Sequence, residues 1–214
     1  MKPAFEKRFF DFEVRAEDND NGESVITGRP IVYNAPTDMY FYREVIDSDA
    51  LNETDLTDVR FLVNHDTNGI PLARSRRNNA NSTMQLSPNS FGLDMMARVD
   101  TENNQQAKAL RSAVDRGDIS GMSFMFSVDS DEWEDLESEY PTRHIKKIAS
   151  VIEVSAVTFP AYDQTEIHAR SQEALENAKL VLEKAREARA SKPVETGIDE
   201  ISLLKAKTKI LGGK

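Results

Sequence analysis

For roughly the first 160 residues, apolar and polar positions alternate in short runs, and beyond them the spacing becomes helical. Phe9 to Arg15 has the alternation of a strand, and Glu17 to Glu23, with Asp18-Asn19-Asp20-Asn21-Gly22 inside it, is a strong turn signal. Together they predict a hairpin. Its second arm, Val25 to Tyr33, runs through Gly28 and Pro30, so a kink or an edge position is expected there. The aromatic loop Met39-Tyr40-Phe41-Tyr42 follows, readable as core cover or as substrate contact, and leads into Arg43-Glu44-Val45-Ile46. Ser48 or Asp49 can cap a short helix over Ala50 to Glu53. Val59 to Val63 reads as a buried strand that ends at Asn64-His65-Asp66. After the Thr67-Asn68-Gly69 turn, Ile70 to Arg74 predicts another strand and Arg76-Arg77-Asn78-Asn79 a solvated loop. Thr83 to Leu86 and Phe91 to Val99 form a hairpin about Pro88-Asn89-Ser90.

A helix is predicted from Glu102 to Arg116, with Ala107, Leu110 and Val114 as its buried stripe, Asp100 or Thr101 as cap and Gly117 as stop. The chain then re-enters as a strand through Gly121-Met122-Ser123-Phe124-Met125-Phe126. At period two, Phe124, Phe126 and Val128 face one way and Ser123, Met125 and Ser127 the other. Lying close to Gly117 and Gly121, Ser123 is expected to have little steric cover, which makes it a candidate nucleophile. Asp129 to Glu139 holds seven acids among eleven residues, so mutual repulsion predicts a surface loop, either simply solvated or able to attract a basic segment. His144 to Ile148 is a short strand, and Ala149 to Phe159 is the last strong one, stopped by Pro160. Ser171 to Ser191 carries Leu175, Ala178, Leu182 and Ala185 along a seam of coiled-coil or docking type, with one more amphipathic turn or two expected over Asp199 to Leu211. The division predicted is a domain over residues 1–170 and a helical, coiled-coil-like tail over 171–214.

Composition narrows the classes. A chain of 214 residues holds one full domain with a sizeable core plus an appendage. The formal charge of -10 argues against a nucleic-acid sheath or an anionic membrane surface and suits basic partners. With no cysteine, disulfides, thiolate metal sites and cysteine nucleophiles are excluded. Met1 to Arg8 lacks the apolar core of a signal peptide, and no stretch approaches the roughly 18 apolar residues of a spanning helix. The expectation is a soluble protein made in cytoplasm.

A serine nucleophile needs a base, and the chain has three histidines, His65, His144 and His168. Neutral imidazole is the usual group for taking a serine proton near neutral pH. His65, at the exit of a buried strand, is the best placed, unless it only caps that strand. A third group must hold the far ring nitrogen and stabilise the imidazolium. Glu153 interrupts the apolar strand Val151-Ile152-Glu153-Val154-Ser155-Ala156-Val157; buried, it needs a partner, and on an edge strand it would be wet. Asp66, next to the histidine, is the weaker candidate. No His-x-x-x-His pair and no Gly-rich phosphate loop is present, so neither a metal nor another cofactor is expected.

Several segments together resemble the prohead (capsid maturation) proteases of HK97-type tailed bacteriophages. They are Gly28 with Ile31-Val32-Tyr33-Asn34, Glu44-Val45-Ile46, Val63-Asn64-His65-Asp66, Pro71-Leu72, Gly92-Leu93, Gly117 to Phe126, and Glu153 to Tyr162. The likeness runs from about Phe9 to Arg170, and its specificity lies in the order of the pieces and in the long last motif.

That resemblance implies a serine endopeptidase related to the herpesvirus assemblins. The fold implied is α+β, a mainly antiparallel, partly closed β-barrel with surrounding helices. His65 would be the base, Ser123 the nucleophile and Glu153 the orienting acid. It implies action inside the assembling prohead, in host cytoplasm, on the scaffolding segment of the major capsid protein and on the protease itself, with the tail as a self-cleaved or scaffold-like piece. No nucleic-acid or membrane partner is implied. Ala73 and Met125 stand where the family often has glycine, and no arginine occupies an obvious oxyanion position. A non-catalytic scaffold or assembly protein that keeps the fold is the alternative.

Overall fold

The computed structural model describes residues 5–10, 14–158 and 164–190, and among them the period-two alternation is realised in eleven strands. The fold of the described residues is mixed α+β, mostly strands, with two helices. The first strands are β1 (Glu6–Phe10), β2 (Arg15–Asp18), β3 (Ser24–Val32), β4 (Thr37–Asp38) and β5 (Arg43–Ile46). Then come β6 (Asp58–Val63), β7 (Ala73–Arg76), β8 (Met84–Asn89) and β9 (Gly92–Arg98). Helix α1 (Gln105–Asp115) precedes the two long strands β10 (Gly121–Glu134) and β11 (Thr142–Val157), and α2 (Gln164–Ala190) follows.

β11, with 16 residues, is the central strand of a seven-stranded sheet. Along one side it pairs antiparallel with β10. Along the other it pairs in parallel with β5 through Thr142–Ile145 and with β6 through Glu153–Ala156. β1 adds antiparallel to the outer edge of β10, and β4 and β7 extend β5 and β6. A second sheet has the order β2-β3-β9-β8, antiparallel throughout. The antiparallel character expected from the resemblance is present. Its barrel is not: among the described residues neither sheet closes on itself.

One apolar cluster draws on both sheets, including Ile26, Ile31 and Leu93 from the smaller and Phe61, Phe124, Phe126 and Val154 from the larger, all fully buried. Removing each such side chain from water contributes on the order of 2 kcal/mol. Gly92, at φ 148°, is required by contact: a Cβ there would lie 1.9 Å from the carbonyl oxygen of Ile31.

Local expectations met different outcomes. The first strand starts earlier than alternation suggested, at Glu6, while residues 11–13 lie outside the described residues. β3 is kinked, with a register shift between Gly28 and Ile31, but it sits inside its sheet. Ala50 to Glu53 forms successive turns, not a helix, closed by bonds such as Ala50 N to Asp47 O and Asn52 N to Asp49 O. For α1 the cap is Asn104, whose side chain accepts from Gln106 N and Ala107 N, while the stripe Ala107, Leu110 and Val114 is buried as predicted. Much of the acidic run is not a loop, because β10 continues to Glu134. Repulsion is offset by cations on the facing strand: Arg143 holds Asp131, and Lys146 lies 3.8 Å from Glu132. The short strand expected over His144 to Ile148 and the strong one expected from Ala149 are one strand, β11.

The chain divides into two units, Met1–Leu175 and Glu176–Lys214. Of the second, the structure describes the end of α2; the turns expected over Asp199 to Leu211 lie outside the described residues.

Candidate active site

The antiparallel register of β10 and β11 sets the site. Ser123 stands opposite Ser155, and Met125 opposite Glu153, so these four side chains share one face. β6 lies on the far side of β11 and delivers its exit residues to the same end of the sheet, with Ala156 paired to Val63. Just past Val63 the backbone reverses. Asn64 and His65 both have positive φ, 51° and 58°, and Asp66 N donates to Val63 O at 3.1 Å, the pattern of a primed turn. Asparagine tolerates that region better than most residues. Its side chain also anchors the turn: Asn64 Nδ2 donates to Thr158 Oγ1 at 3.0 Å, and Asn64 Oδ1 accepts from Thr158 N at 2.9 Å.

The turn folds His65 over the face carrying Glu153. His65 Nδ1 is 2.5 Å from Glu153 Oε1, with the two side chains 7% and 2% exposed. Ser155 ties the pair together, its Oγ donating to Glu153 Oε2 at 2.6 Å and accepting from His65 N at 3.1 Å. Glu153 is therefore buried with both oxygens engaged, which is the condition for a carboxylate to persist there. A carboxylate acceptor at Nδ1 keeps the ring proton on that nitrogen and leaves a lone pair on Nε2. His65 Nε2 is buried without a partner.

Ser123 is fully buried, contrary to the expectation of little cover. Its cover is β1, whose Phe9 is its register partner. Ser123 Oγ donates to Arg8 O at 2.8 Å, not to His65. The structure thus brings His65 to Glu153 and puts Ser123 on the neighbouring strand, with its hydroxyl held by β1. Asp66, the weaker candidate acid, is exposed and accepts from Asn68 N and Gly69 N in its own turn.

β1 is itself held by charge. Arg8 is bidentate on Glu44, through Nε to Oε1 and through Nη2 to Oε2 at 2.7 Å, and its guanidinium lies 5.5 Å from the Phe126 ring centre. Arg143 Nη1 reaches the same Glu44 Oε2 at 3.1 Å and Glu6 Oε2 at 3.0 Å. Burial by itself would raise the Glu6 carboxyl, but the charges of Arg8 and Arg143 outweigh it and hold the group at about 2. Burial, followed by the Glu44 charge, pushes the Tyr42 phenol up to about 12.

His144 contacts two carboxylates, Asp47 at 3.0 Å and Glu134 at 3.4 Å. The bond to Asp47 raises its pKa, against a smaller effect of burial. It lines an acidic cleft of about 590 Å³ with Asp47, Asp49, Trp133 and Lys146, and none of Ser123, His65 and Glu153 belongs to that cleft. His168 falls on α2, and its side chain lies outside the described residues. Sequence reading missed Ser155, Asn64 and β1. Ser155 shares the Glu153 face at period two and Asn64 precedes the histidine, so both carried a signal; the pairing of β1 with β10, more than a hundred positions apart, carried none.

The buried imidazole–carboxylate pair thus lies one strand away from a serine. The chain belongs to the family described as Caudovirus prohead serine protease, whose sequence profile matches residues 10–179. A search of curated proteins found no match. Among solved structures, the chain is similar to the bacteriophage T4 capsid assembly protease, gp21, at 15% identity, covering 72% of this chain and 99% of that one, with a TM-score of 0.36.

Proposed function

We propose that the chain is a capsid maturation endopeptidase in which Ser123 is the nucleophile, His65 the base and Glu153 the group that orients and stabilises it. The observation that carries this reading is the His65–Glu153 contact of 2.5 Å, within a chain that belongs to a serine protease family. Ser123 Oγ attacks the scissile carbonyl carbon while its proton passes to His65 Nε2. The C–N bond then breaks, and the leaving amine takes that proton. Water repeats the sequence on the acyl-enzyme and restores Ser123. Glu153 stabilises the imidazolium at each stage, and Ser155 fixes the carboxylate.

The substrates proposed are the scaffolding segment of the major capsid protein and the protease itself, inside the assembling prohead in host cytoplasm. Residues 1–170 carry the catalysis, and 171–214 are a tail that is self-cleaved or scaffold-like. Co-expression with the capsid protein of the same phage tests the reading: wild type shortens the capsid protein and the Ser123→Ala variant does not. A non-catalytic scaffold is the second reading, favoured by one observation, the Ser123 hydroxyl held by Arg8 O. It requires wild type to leave both capsid protein and itself full length.

A further inference from the structure

β1 occupies the place that a peptide substrate would need. It lies antiparallel along the side of β10 away from β11, pairing Arg8 with Phe124 and Phe9 with Ser123. The carbonyl it presents to the Ser123 hydroxyl belongs to Arg8, at 2.8 Å. The Arg8 side chain enters a buried anionic position, where Glu44, 2% exposed, takes it with both oxygens beside the Phe126 ring. Two residues earlier, Glu6 meets Arg143. Meanwhile His65 Nε2 is buried and unpaired. A strand on the nucleophile, with its carbonyl on the serine and its side chain in a built pocket, has the arrangement of a bound substrate strand.

We infer that the β10 edge is the substrate-strand site, that Glu44 selects a basic side chain on the residue preceding the cut, and that β1 is the internal occupant of that site. This inference rests on the protease reading above. Without β1, Glu44 keeps one ion-pair partner among the described residues, Arg143, which Asp131 also holds. One Glu44 oxygen and the Phe126 face are then open to an incoming Arg or Lys, and Arg143 is open to an acid two residues upstream. The preferred segment is acid-x-base, with the cut after the base. That pattern recurs in this chain at Glu13-Val14-Arg15, at Asp58-Val59-Arg60 inside β6, and at Glu187-Ala188-Arg189, where self-cleavage after Arg189 would shorten the tail. Substrate must displace β1, so the fraction of chains with β1 released scales the apparent rate.

The test uses the full chain and synthetic ten-residue peptides with a central Glu-Lys-X-Phe, X being Arg, Lys, Ala or Glu. Mass spectrometry locates the cuts, and Ser123→Ala is the blank. Arg and Lys peptides should be cut after X with a kcat/KM on the order of a hundredfold above Ala or Glu. Arg8→Ala, which frees β1, should raise all rates by about tenfold. Glu44→Gln should narrow the Arg-to-Ala ratio to below about tenfold; if that variant does not fold, the wild-type series still decides. Ser123-dependent cutting with no preference for a basic X, or with preference for Glu, overturns the inference and leaves the protease reading standing. No Ser123-dependent cutting by either wild type or Arg8→Ala sinks both.

Discussion

Ser123 and Arg8 are joined by a hydrogen bond of 2.8 Å from the serine hydroxyl to the arginine carbonyl, across the β10–β1 pairing. The hydroxyl that the proposed mechanism needs on His65 is therefore spent on the N-terminal strand. His65 and Glu153 are already in contact. The mechanism proposed above therefore requires β1 to release that hydroxyl.

Substitutions in the proposed triad should fall in a definite order. Ser123→Ala and His65→Ala should each lower kcat/KM by on the order of ten-thousandfold, since nucleophile and base act as one unit. Glu153→Gln should be milder, about a hundredfold, because the amide oxygen can still accept from Nδ1 while the charge that stabilises the imidazolium is gone. Kinetics on a capsid-protein fragment checks this, and a Ser123→Ala variant that retains wild-type processing removes the serine from the role.

Asn64 should act on geometry. It pins the turn that holds His65 by two bonds to Thr158 and adopts a positive φ that suits asparagine. Asn64→Ala loses both advantages and should cost about 1–3 kcal/mol of stability together with about tenfold in kcat. Asn64→Gly keeps the backbone freedom and loses only the bonds, so its stability loss should be smaller at a similar loss of kcat. Thermal unfolding and turnover, measured on both variants, separate the two effects. Equal stability losses for Ala and Gly would show that backbone strain plays no part.

The pairing of His65 with Glu153 was more legible in the sequence than the architecture around it. A histidine leaving a buried strand and an acid interrupting an apolar one are local features, and both residues meet in the structure. Strand order is not local. That β11 faces β10 on one side and β5 and β6 on the other depends on pairings that a period-two pattern leaves open. Asp129 to Glu134 is strand where a loop was expected for a related reason: the repulsion lies within the run, while the compensating cations lie on the opposite strand. The cover over Ser123 also comes from a distant strand, so two neighbouring glycines gave the wrong exposure.

Gly92 tests the packing between β3 and β9. Any side chain there would place a Cβ 1.9 Å from the Ile31 carbonyl oxygen, in a backbone region that other residues rarely adopt. Gly92→Ala should destabilise by more than about 3 kcal/mol, or leave the protein insoluble. A chemical denaturation midpoint within error of wild type would show that the two strands part without cost.

Acid should loosen β1. The Glu6 carboxyl is lowered from the usual 4.5 to about 2; burial opposes this, but Arg8 on its own strand and Arg143 on β11 prevail. Since the folded value is the lower one, the stabilisation by Glu6 is fully present above about pH 4.5 and is lost as pH falls through about 2. Protonating Glu6 removes one of the two acids that Arg8 bridges and leaves Glu44 as the charged partner of that side chain among the described residues. Hydrogen exchange over residues 6–10, corrected for intrinsic rates, should lose protection between pH 5 and pH 2 ahead of α1. In Glu6→Gln the same segment should be less protected at pH 5 and should change less across that window, because the charge that titrates there is already absent. Parallel declines in wild type and Glu6→Gln would mean that the grip on β1 does not depend on this carboxylate.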